Sequence, residues 1–287
     1  MLRLLSRRLP QCRALTTSAG RGSSASMSPE LSPSAAMRWA VGGWSFFIAE
    51  NVVLSENRTS IIDSLGEQRY HLLYGALSTA ACVSIAVGFR RIAGAAPLQW
   101  AAGQPPPPSR LALGGALQAI GFAGLAQSLP KLQIPFTSRG RVGAAPEPSS
   151  STSGAWSVRC PFDFSKHEGL YGVQRISRHA SLWSFAAVCL GFAVITPSLP
   201  QAVCLAMPTA VALIGGAHHD SRQRRGMGGH LPAELDAATS HIPGVALLSG
   251  AQGDVGSALR ILSDEVKWIN AGLGVAVAFL FVLRHSR

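Results

Sequence analysis

The chain has 287 residues, of which 47% are hydrophobic and only 14% charged, and its formal net charge is +11. Soluble domains are typically about 25% charged, so this composition indicates a membrane protein. The basic residues lie in short loops between apolar segments and form no continuous patch, which argues against nucleic acid as a partner. The five cysteines include no CxxC pair and give no sign of a disulfide framework.

Residues 1–30 have the composition of an organelle transit peptide. Five arginines alternate with leucines and precede several serines and threonines, and the first acidic residue is Glu30. Such segments, rich in Arg and Ser and poor in acidic residues, address proteins to mitochondria or plastids. We predict a mitochondrial presequence that is removed from the mature protein. A plastid address and an uncleaved basic tail are the alternatives.

Six apolar segments follow, each close to the roughly 20 residues that a membrane-spanning helix needs. Spans one to three lie within residues 37–129, spans four and five with an interfacial tail within residues 158–250, and a C-terminal span within residues 258–287. The fold is therefore predicted to be all-α, a polytopic transmembrane helical bundle of about six spans. The apolar segments are residues 39–54, 72–89, 111–129, 182–199, 202–217 and 269–283.

The connections between these segments differ in character. Residues 104–109 contain four consecutive prolines and cannot form the interior of a helix. Residues 130–157 are rich in Ser, Pro, Gly and Ala, and we predict a flexible low-complexity insertion there. Spans four and five are joined by a short turn around Pro200 and should form an antiparallel hairpin. Span three is rich in small residues, which let helices approach closely in lipid, so it should lie inside the bundle.

Charge predicts an orientation for these spans. If they alternate in direction, the loops after spans one, three and five share one side of the membrane. Those loops hold most of the Lys and Arg residues and all but one of the eight histidines. Because Lys and Arg stay on the non-translocated side, we assign this side to the matrix or stroma.

Residues 172–179 bring basic side chains to the start of span four. At helical spacing Arg175, Arg178 and His179 would share one helix face. The hairpin would bring His179 close to His218 and His219, which follow span five.

Imidazoles at the ends of two neighbouring spans suggest ligation of a metal ion or of haem iron, with the arginines pairing with propionates. The same residues could instead be interfacial anchors that reach lipid headgroups. Spacing alone favours anchors, because the sequence contains no CxxCH or HExxH signature.

Glu50 and Asn51 are further candidates for a site, near the end of span one. A carboxylate inside an apolar segment is costly unless it is paired, and we expect Arg58 or an arginine from residues 175–178 as its partner. Alternatively, span one ends at Ile48 and Glu50 lies among the headgroups.

Several short motifs together resemble a known family. They are residues 66–74 before span two, residues 172–179, the His-His-Asp sequence of residues 218–220, and Pro243. They are similar to motifs of the NnrU family, which includes bacterial membrane proteins associated with denitrification and the plant zeta-carotene isomerase. The most specific is Arg-Ile-Ser-Arg-His at residues 175–179, which resembles the family's Arg-Ile-Thr-Arg-His-Pro element with Ala180 in place of the proline. The similarity covers residues 39–248.

The resemblance implies a multi-pass helical membrane protein. For the isomerase branch it also implies haem b held by histidines, whose redox state controls cis-to-trans isomerisation of a polyene. Carried over to this sequence, His179 and either His218 or His219 would bind the iron, and Arg175 and Arg178 would contact propionates or substrate. The family's first-span histidine is replaced here in the neighbourhood of Glu50.

Two functions from different classes therefore remain. The first is a non-catalytic NnrU-like protein of an organelle membrane that contacts lipid or a partner through its basic face. The second is a haem-dependent isomerase or redox enzyme acting on a lipid-soluble polyene or isoprenoid.

Overall fold

A computed structural model describes residues 31–93, 106–132, 136–137, 157–158, 162–163 and 169–285. The predicted transit peptide and most of the predicted insertion lie outside these residues. The described part is helical apart from two pairs of two-residue strands, so the all-α prediction is confirmed.

The described residues form ten α-helices. The six apolar segments of the sequence coincide with the six longest apolar helices, which are α1, α3, α4, α5, α6 and α10. The helices are α1 (Pro33–Glu56), α2 (Arg58–Leu65), α3 (Glu67–Ala93), α4 (Pro108–Ala126), α5 (Ala180–Ile195), α6 (Leu199–Arg224), α7 (Ala233–Ala238), α8 (Val245–Leu248), α9 (Val255–Glu265) and α10 (Trp268–His285).

Two of the described helices, α3 and α6, are long and apolar enough to cross a membrane. Helices α9 and α10 together meet the same criteria, but they are bent by 84° where they join. If this pair is one span, the described residues contain three candidate membrane spans. Helix α5 is apolar but has only 16 residues. The six helices are therefore present, and two to three of them qualify as membrane spans.

Local sequence explains where the first helices begin and end. The Ser32 hydroxyl accepts a hydrogen bond from the backbone N–H of Ala35 and caps α1, with Pro33 in the first turn. Gly66 stops α2 with φ of 84°, a backbone conformation that glycine adopts without strain. Glu67 in the first turn of α3, with Arg90 and Arg91 in its last turn, complements the helix dipole.

Glycines bring α4 and α5 into close contact. A Cβ atom on Gly121 would lie 2.6 Å from the carbonyl oxygen of Ser184, and one on Gly191 would lie 2.6 Å from that of Gly114. Neither position could accept a side chain without separating the helices. Helix α4 also packs against α10, so span three contacts helices on two sides, while Leu113 and Ile120 on it remain exposed.

Helices α5 and α6 form the predicted hairpin. Residues 196–198 make the turn, and Pro200 lies in the first turn of α6. Backbone N–H groups in the first turn have no acceptor within the helix, so the absence of an N–H on proline breaks no hydrogen bond there. Helix α6 also packs against α1, which in turn packs against α3. The start of α5 and the ends of α1 and α6 consequently meet at one end of the bundle.

The described residues at the borders of the insertion form two short antiparallel ladders. Strand β1 (Lys131–Leu132) pairs with β4 (Phe162–Asp163), and β2 (Phe136–Thr137) pairs with β3 (Ser157–Val158). The chain that enters the insertion is thus returned close to its starting point.

Candidate functional site

Asp220, near the end of α6, is the centre of a buried polar network. Its side chain is only 2% exposed. His179 donates a hydrogen bond from Nε2 to Oδ1 over 2.6 Å, and Arg178 donates from Nη1 to Oδ2 over 2.8 Å. Both carboxylate oxygens are therefore bonded, and the Arg178 charge compensates that of Asp220.

Arg178 makes further bonds that fix the chain after α7. Its Nε donates to the Thr239 hydroxyl, and Nη2 donates to the Thr239 carbonyl oxygen over 2.7 Å. Nη2 also lies 2.7 Å from a carboxylate oxygen of Asp236. Hydrogen bonds from Arg224 and then Arg178 lower the pKa of Asp236 to about 2. With these partners Arg178 joins α5, α6 and α7.

His179 is held against α6 by close packing. Its ring meets those of His219 and His241 edge to face, with centroids 5.4 and 5.5 Å away. Gly216 on α6 lies against the rings of His179 and His241. A Cβ atom at this position would come within 2.7 Å of Nδ1 of His241. Burial lowers the pKa of His179 below its ordinary 6.5, although the contact with Asp220 acts in the opposite direction. Because Arg178 already compensates Asp220, we attribute the lowered pKa to the dominance of desolvation.

Arg175 belongs to a different contact. Glu265 at the end of α9 accepts two hydrogen bonds from the Arg175 guanidinium, each 2.7 Å long, and a third from the backbone N–H of Gly172. Residues Gly172–Arg175 form a 3₁₀ helix, and α5 begins only at Ala180. The prediction that Arg175, Arg178 and His179 share one helix face is therefore wrong. The positive φ of Gly172 and the bond from Arg178 N to Ser240 O divert the chain before α5.

A cavity of about 550 Å³ lies next to this network, between α1, α3, α5 and α6. Its walls combine apolar side chains with imidazoles and one arginine. The residues that line it are Phe47, Ile48, Asn51, Val52, Ser55, Tyr74, His179, Ser181, Leu182, Val211, Gly215, His218, His219 and Arg222.

His218 faces α1 rather than His179. Its Nε2 lies 2.7 Å from the Ser55 hydroxyl oxygen, and its Nδ1 lies 3.9 Å from Glu56. Glu56 in turn accepts two hydrogen bonds from Arg225. These contacts tie the end of α1 to the end of α6.

Glu50 and Asn51 form a second buried network with α3. Glu50 is 6% exposed and accepts hydrogen bonds from the Asn51 amide and the Ser78 hydroxyl at Oε1, while the Tyr74 hydroxyl donates to Asn51 Oδ1. Oε2 of Glu50 is buried without a hydrogen-bond partner.

The expected arginine partner of Glu50 is wrong for the part of the chain that the structure describes. Its carboxylate has no Lys, Arg or His partner there, and Arg58 lies near Glu67 instead. Helix α1 continues to Glu56, and the alternative that the membrane-spanning part ends at Ile48 stays a prediction. The buried carboxylate is instead stabilised by neutral donors on α1 and α3.

The family profile of the NnrU protein matches residues 40–287. The chain belongs to the NnrU family. The similarity expected from the motifs ended at residue 248. The family match extends beyond it and includes α9 and α10. Neither the curated proteins nor the solved structures contain a significant match to it.

A small metal ion is the first cofactor to test against this geometry. The ligand atoms of His179, His219 and Asp220 lie within 4.8 Å of one another. A metal ion bound to all three would compete with Arg178 and His179 for the oxygens of Asp220, which are both already bonded.

Haem is the second cofactor, and the predicted axial pair does not fit it. The rings of His179 and His219 touch edge to face at 87°, which leaves no room for a porphyrin between them. Nε2 of His179 is bonded to Asp220. Arg175 and Arg178, the predicted propionate partners, are paired with Glu265 and Asp220. Haem binding in this protein stays a prediction.

Sequence reasoning missed three residues of this region. Asp220 was visible as an acidic residue at the end of an apolar helix, a position where a charge is costly without a partner. Arg222 lies one helical turn beyond His218 and His219, a spacing that places all three towards one side of α6. Glu265 is 90 residues away from Arg175, and no local signal connects them.

Proposed function

We propose that this NnrU protein is a multi-pass membrane protein of an organelle that binds a lipid-soluble, amphipathic small molecule. The observation that supports this function is the cavity of about 550 Å³, whose walls combine apolar side chains with imidazoles and one arginine. Binding sites for small molecules typically combine a mostly apolar concave surface with a few polar groups that orient the ligand.

The membrane topology that we propose has about six crossings, one for each long apolar helix, with α1, α4, α5 and α10 completing the bundle around α3 and α6. Helix α5, with 16 residues, would lie where neighbouring helices shield its ends. The end of the bundle with His179, His218 and Arg225 would face the matrix or stroma. Residues 1–30 favour the mitochondrion, and a fluorescent fusion of the full chain distinguishes it from the plastid.

Binding can be tested by narrowing the cavity. Gly215 lines it, and a Cβ atom there would meet only a Val211 methyl group at 4.0 Å. Gly215→Leu should therefore fill the cavity without displacing the backbone. Gly272→Leu is the matched control, because Gly272 lies on α10 with nothing within 4 Å of an added Cβ.

The experiment compares the lipids that co-purify with each variant in a mild detergent, identified by mass spectrometry of organic extracts. The wild-type protein and Gly272→Leu should retain the same small amphipathic molecule, and Gly215→Leu should lose most of it. Equal retention by all three proteins, or no retained molecule in any, would rule out the cavity as the binding site.

A haem-dependent isomerase or redox enzyme is the second candidate function. It is favoured by one observation, that His179, His218 and His219 all line the same cavity. Since His179 and His219 do not form an axial pair as they stand, this candidate requires iron to be held through His218 or after His219 turns away. A Soret band in the purified protein that His218→Ala or His219→Ala abolishes would support it, whereas colourless protein that does not take up added haem would eliminate it.

A further inference from the structure

The cavity has a direction, from apolar to charged, along α6. Val211, Gly215, His218 and Arg222 line it in this order. Their spacing of three or four residues places them on one helix face, and the distance from Val211 to Arg222 along the axis is about 16 Å. This length is comparable to that of an extended single acyl chain of moderate length.

The other walls of the cavity run in the same direction. On α1, Phe47 and Ile48 lie two turns before Ser55, and Ser55 contacts His218 at the polar end. On α5, which runs antiparallel to α6, His179 precedes Leu182. Three helices therefore present polar groups at one end and mostly apolar side chains towards the middle of the bundle, where Asn51 and Tyr74 are polar but hydrogen-bonded to each other.

Arg222 is the arginine at this polar end that forms no ion pair among the described residues, although the Glu56 carboxylate, which Arg225 binds directly, is near enough to attract it weakly. Its neighbours Arg224 and Arg225 each form a two-bond ion pair, with Asp236 and Glu56 respectively. Arg222 forms no ion pair with any residue that the structure describes, and its Nε atom is buried without a hydrogen-bond partner. A buried N–H on a cation is costly when it has no acceptor, so a ligand that supplied one would gain a strong, charge-assisted bond.

We propose that Arg222, with His219 beside it, binds the anionic headgroup of a single-chain lipid whose tail lies between Phe47, Leu182 and Val211. The headgroup is a carboxylate or a phosphate, since both accept from a guanidinium in a planar, two-bond geometry. This inference rests on the proposed function and adds the charge of the ligand to it. In this arrangement the headgroup remains at the surface of the membrane.

The test uses native mass spectrometry of the full-length protein, stripped of lipid in a neutral detergent. The probes are palmitate, hexadecyl phosphate, hexadecanol and inorganic phosphate, each titrated against the wild-type protein, Arg222→Gln and Arg224→Gln. Arg224→Gln is the matched control, because Arg224 lies two residues after Arg222 and its side chain is outside the cavity. The substitution removes the same charge without changing the cavity wall. Circular dichroism checks that both variants keep the wild-type helix content.

We expect the wild-type protein and Arg224→Gln to bind palmitate or hexadecyl phosphate at least about tenfold more tightly than hexadecanol, the value of one charge-assisted bond. In Arg222→Gln this preference should disappear. If hexadecanol binds as tightly as the anions, or if Arg222→Gln keeps the preference, the inference about charge is wrong while the cavity remains a lipid site. If inorganic phosphate binds as tightly as hexadecyl phosphate, the site is one for free phosphate and the lipid tail plays no part.

Failure of the proposed function would look different. In that case none of the three long-chain probes would bind, and Gly215→Leu would behave as the wild-type protein does towards each of them.

Discussion

Arg178 and Arg222 lie at the same end of the bundle, but their surroundings are opposite. Arg178 donates to Asp220, Asp236 and Thr239, and its side chain is only 9% exposed. Arg222 lines a cavity and forms no ion pair among the described residues, with Glu56 only near enough for a weak attraction. A guanidinium whose three nitrogens all donate to the protein serves to fix the fold, whereas one with a buried N–H that lacks an acceptor beside a cavity is available to a ligand.

This contrast reverses the expectation from the sequence, in which Arg175 and Arg178 were the candidates for contact with propionates or substrate. Both of them are paired with carboxylates within the chain, Glu265 for Arg175 and Asp220 for Arg178. The basic residue available for binding is the one that the motif did not include.

The largest effect is expected from Asp220→Ala. The substitution leaves the Arg178 charge buried with one carboxylate partner fewer and removes the acceptor for His179. Breaking a buried ion pair from one side typically lowers the free energy of unfolding by about 3–5 kcal/mol. Thermal unfolding followed by circular dichroism in detergent would measure the loss.

Asp63→Ala is the control for this change, because Asp63 lies exposed on α2. It should leave the stability within about 0.5 kcal/mol of the wild-type value, as surface substitutions usually do. If Asp220→Ala were equally mild, the network around Asp220 would not be the structural element that we infer from its contacts.

The helices could be predicted from the sequence because their signal is local. Apolar runs of the required length, interrupted by Pro and Gly, predicted α1, α3, α4, α5, α6 and α10 with ends that differ from the observed ones by at most seven residues. The hairpin of α5 and α6 also followed from its short connection. The predicted hairpin correctly placed His179 near His219, and the centroids of these two rings lie 5.4 Å apart.

The partners of the charged side chains could not be predicted in the same way. Arg175 and Glu265 are 90 residues apart, and Arg178 and Asp220 are 42 apart, so their pairing depends on how the helices pack. The backbone of residues 172–179 also departs from helical geometry, since Gly172 has φ of 59° and His179 has φ of −108° and ψ of 40°. Spacing arguments that assume one continuous helix fail at such a position.

A smaller effect, which depends on pH, should distinguish His179 from histidines outside the network. Burial lowers the pKa of His179 in the folded protein below the ordinary value of 6.5. The unfolded chain therefore binds a proton at His179 more readily than the folded chain does. It follows that the stability contributed by neutral His179 is present above pH 6.5 and is lost as the pH falls from 6.5 towards the folded-state pKa.

This dependence can be measured from the midpoint of thermal unfolding between pH 7.5 and 5.5 in the wild-type protein, in His179→Gln and in His230→Gln. Glutamine at position 179 can still donate to Asp220 but does not titrate, so the fall in stability over this range should be smaller in that variant. His230 is exposed, and its replacement should leave the pH dependence unchanged. A steeper fall in His179→Gln than in the wild-type protein would contradict the assignment.

The smallest effect on stability is expected at Arg222, and it sharpens the contrast with Arg178. Since Arg222 forms no ion pair among the described residues and its buried Nε lacks an acceptor, Arg222→Gln relieves an unsatisfied donor and loses only a weak attraction to Glu56. We expect the free energy of unfolding to stay within about 0.5 kcal/mol of the wild-type value, or to rise slightly. Arg225→Gln, which breaks two bonds to Glu56, should be the more destabilising of the two.

Urea titrations of the lipid-stripped protein in detergent would compare these two variants, and the same titrations with hexadecyl phosphate present would add the effect of the ligand. A ligand that binds only the folded state raises its stability by mass action, so the wild-type protein and Arg225→Gln should gain more stability on addition than Arg222→Gln, which would bind the ligand more weakly. If Arg222→Gln alone unfolded at low urea without ligand, Arg222 would belong to the fold like Arg178. The difference between the two arginines would then be one of degree, and the cavity would lose its candidate for the binding of an anion.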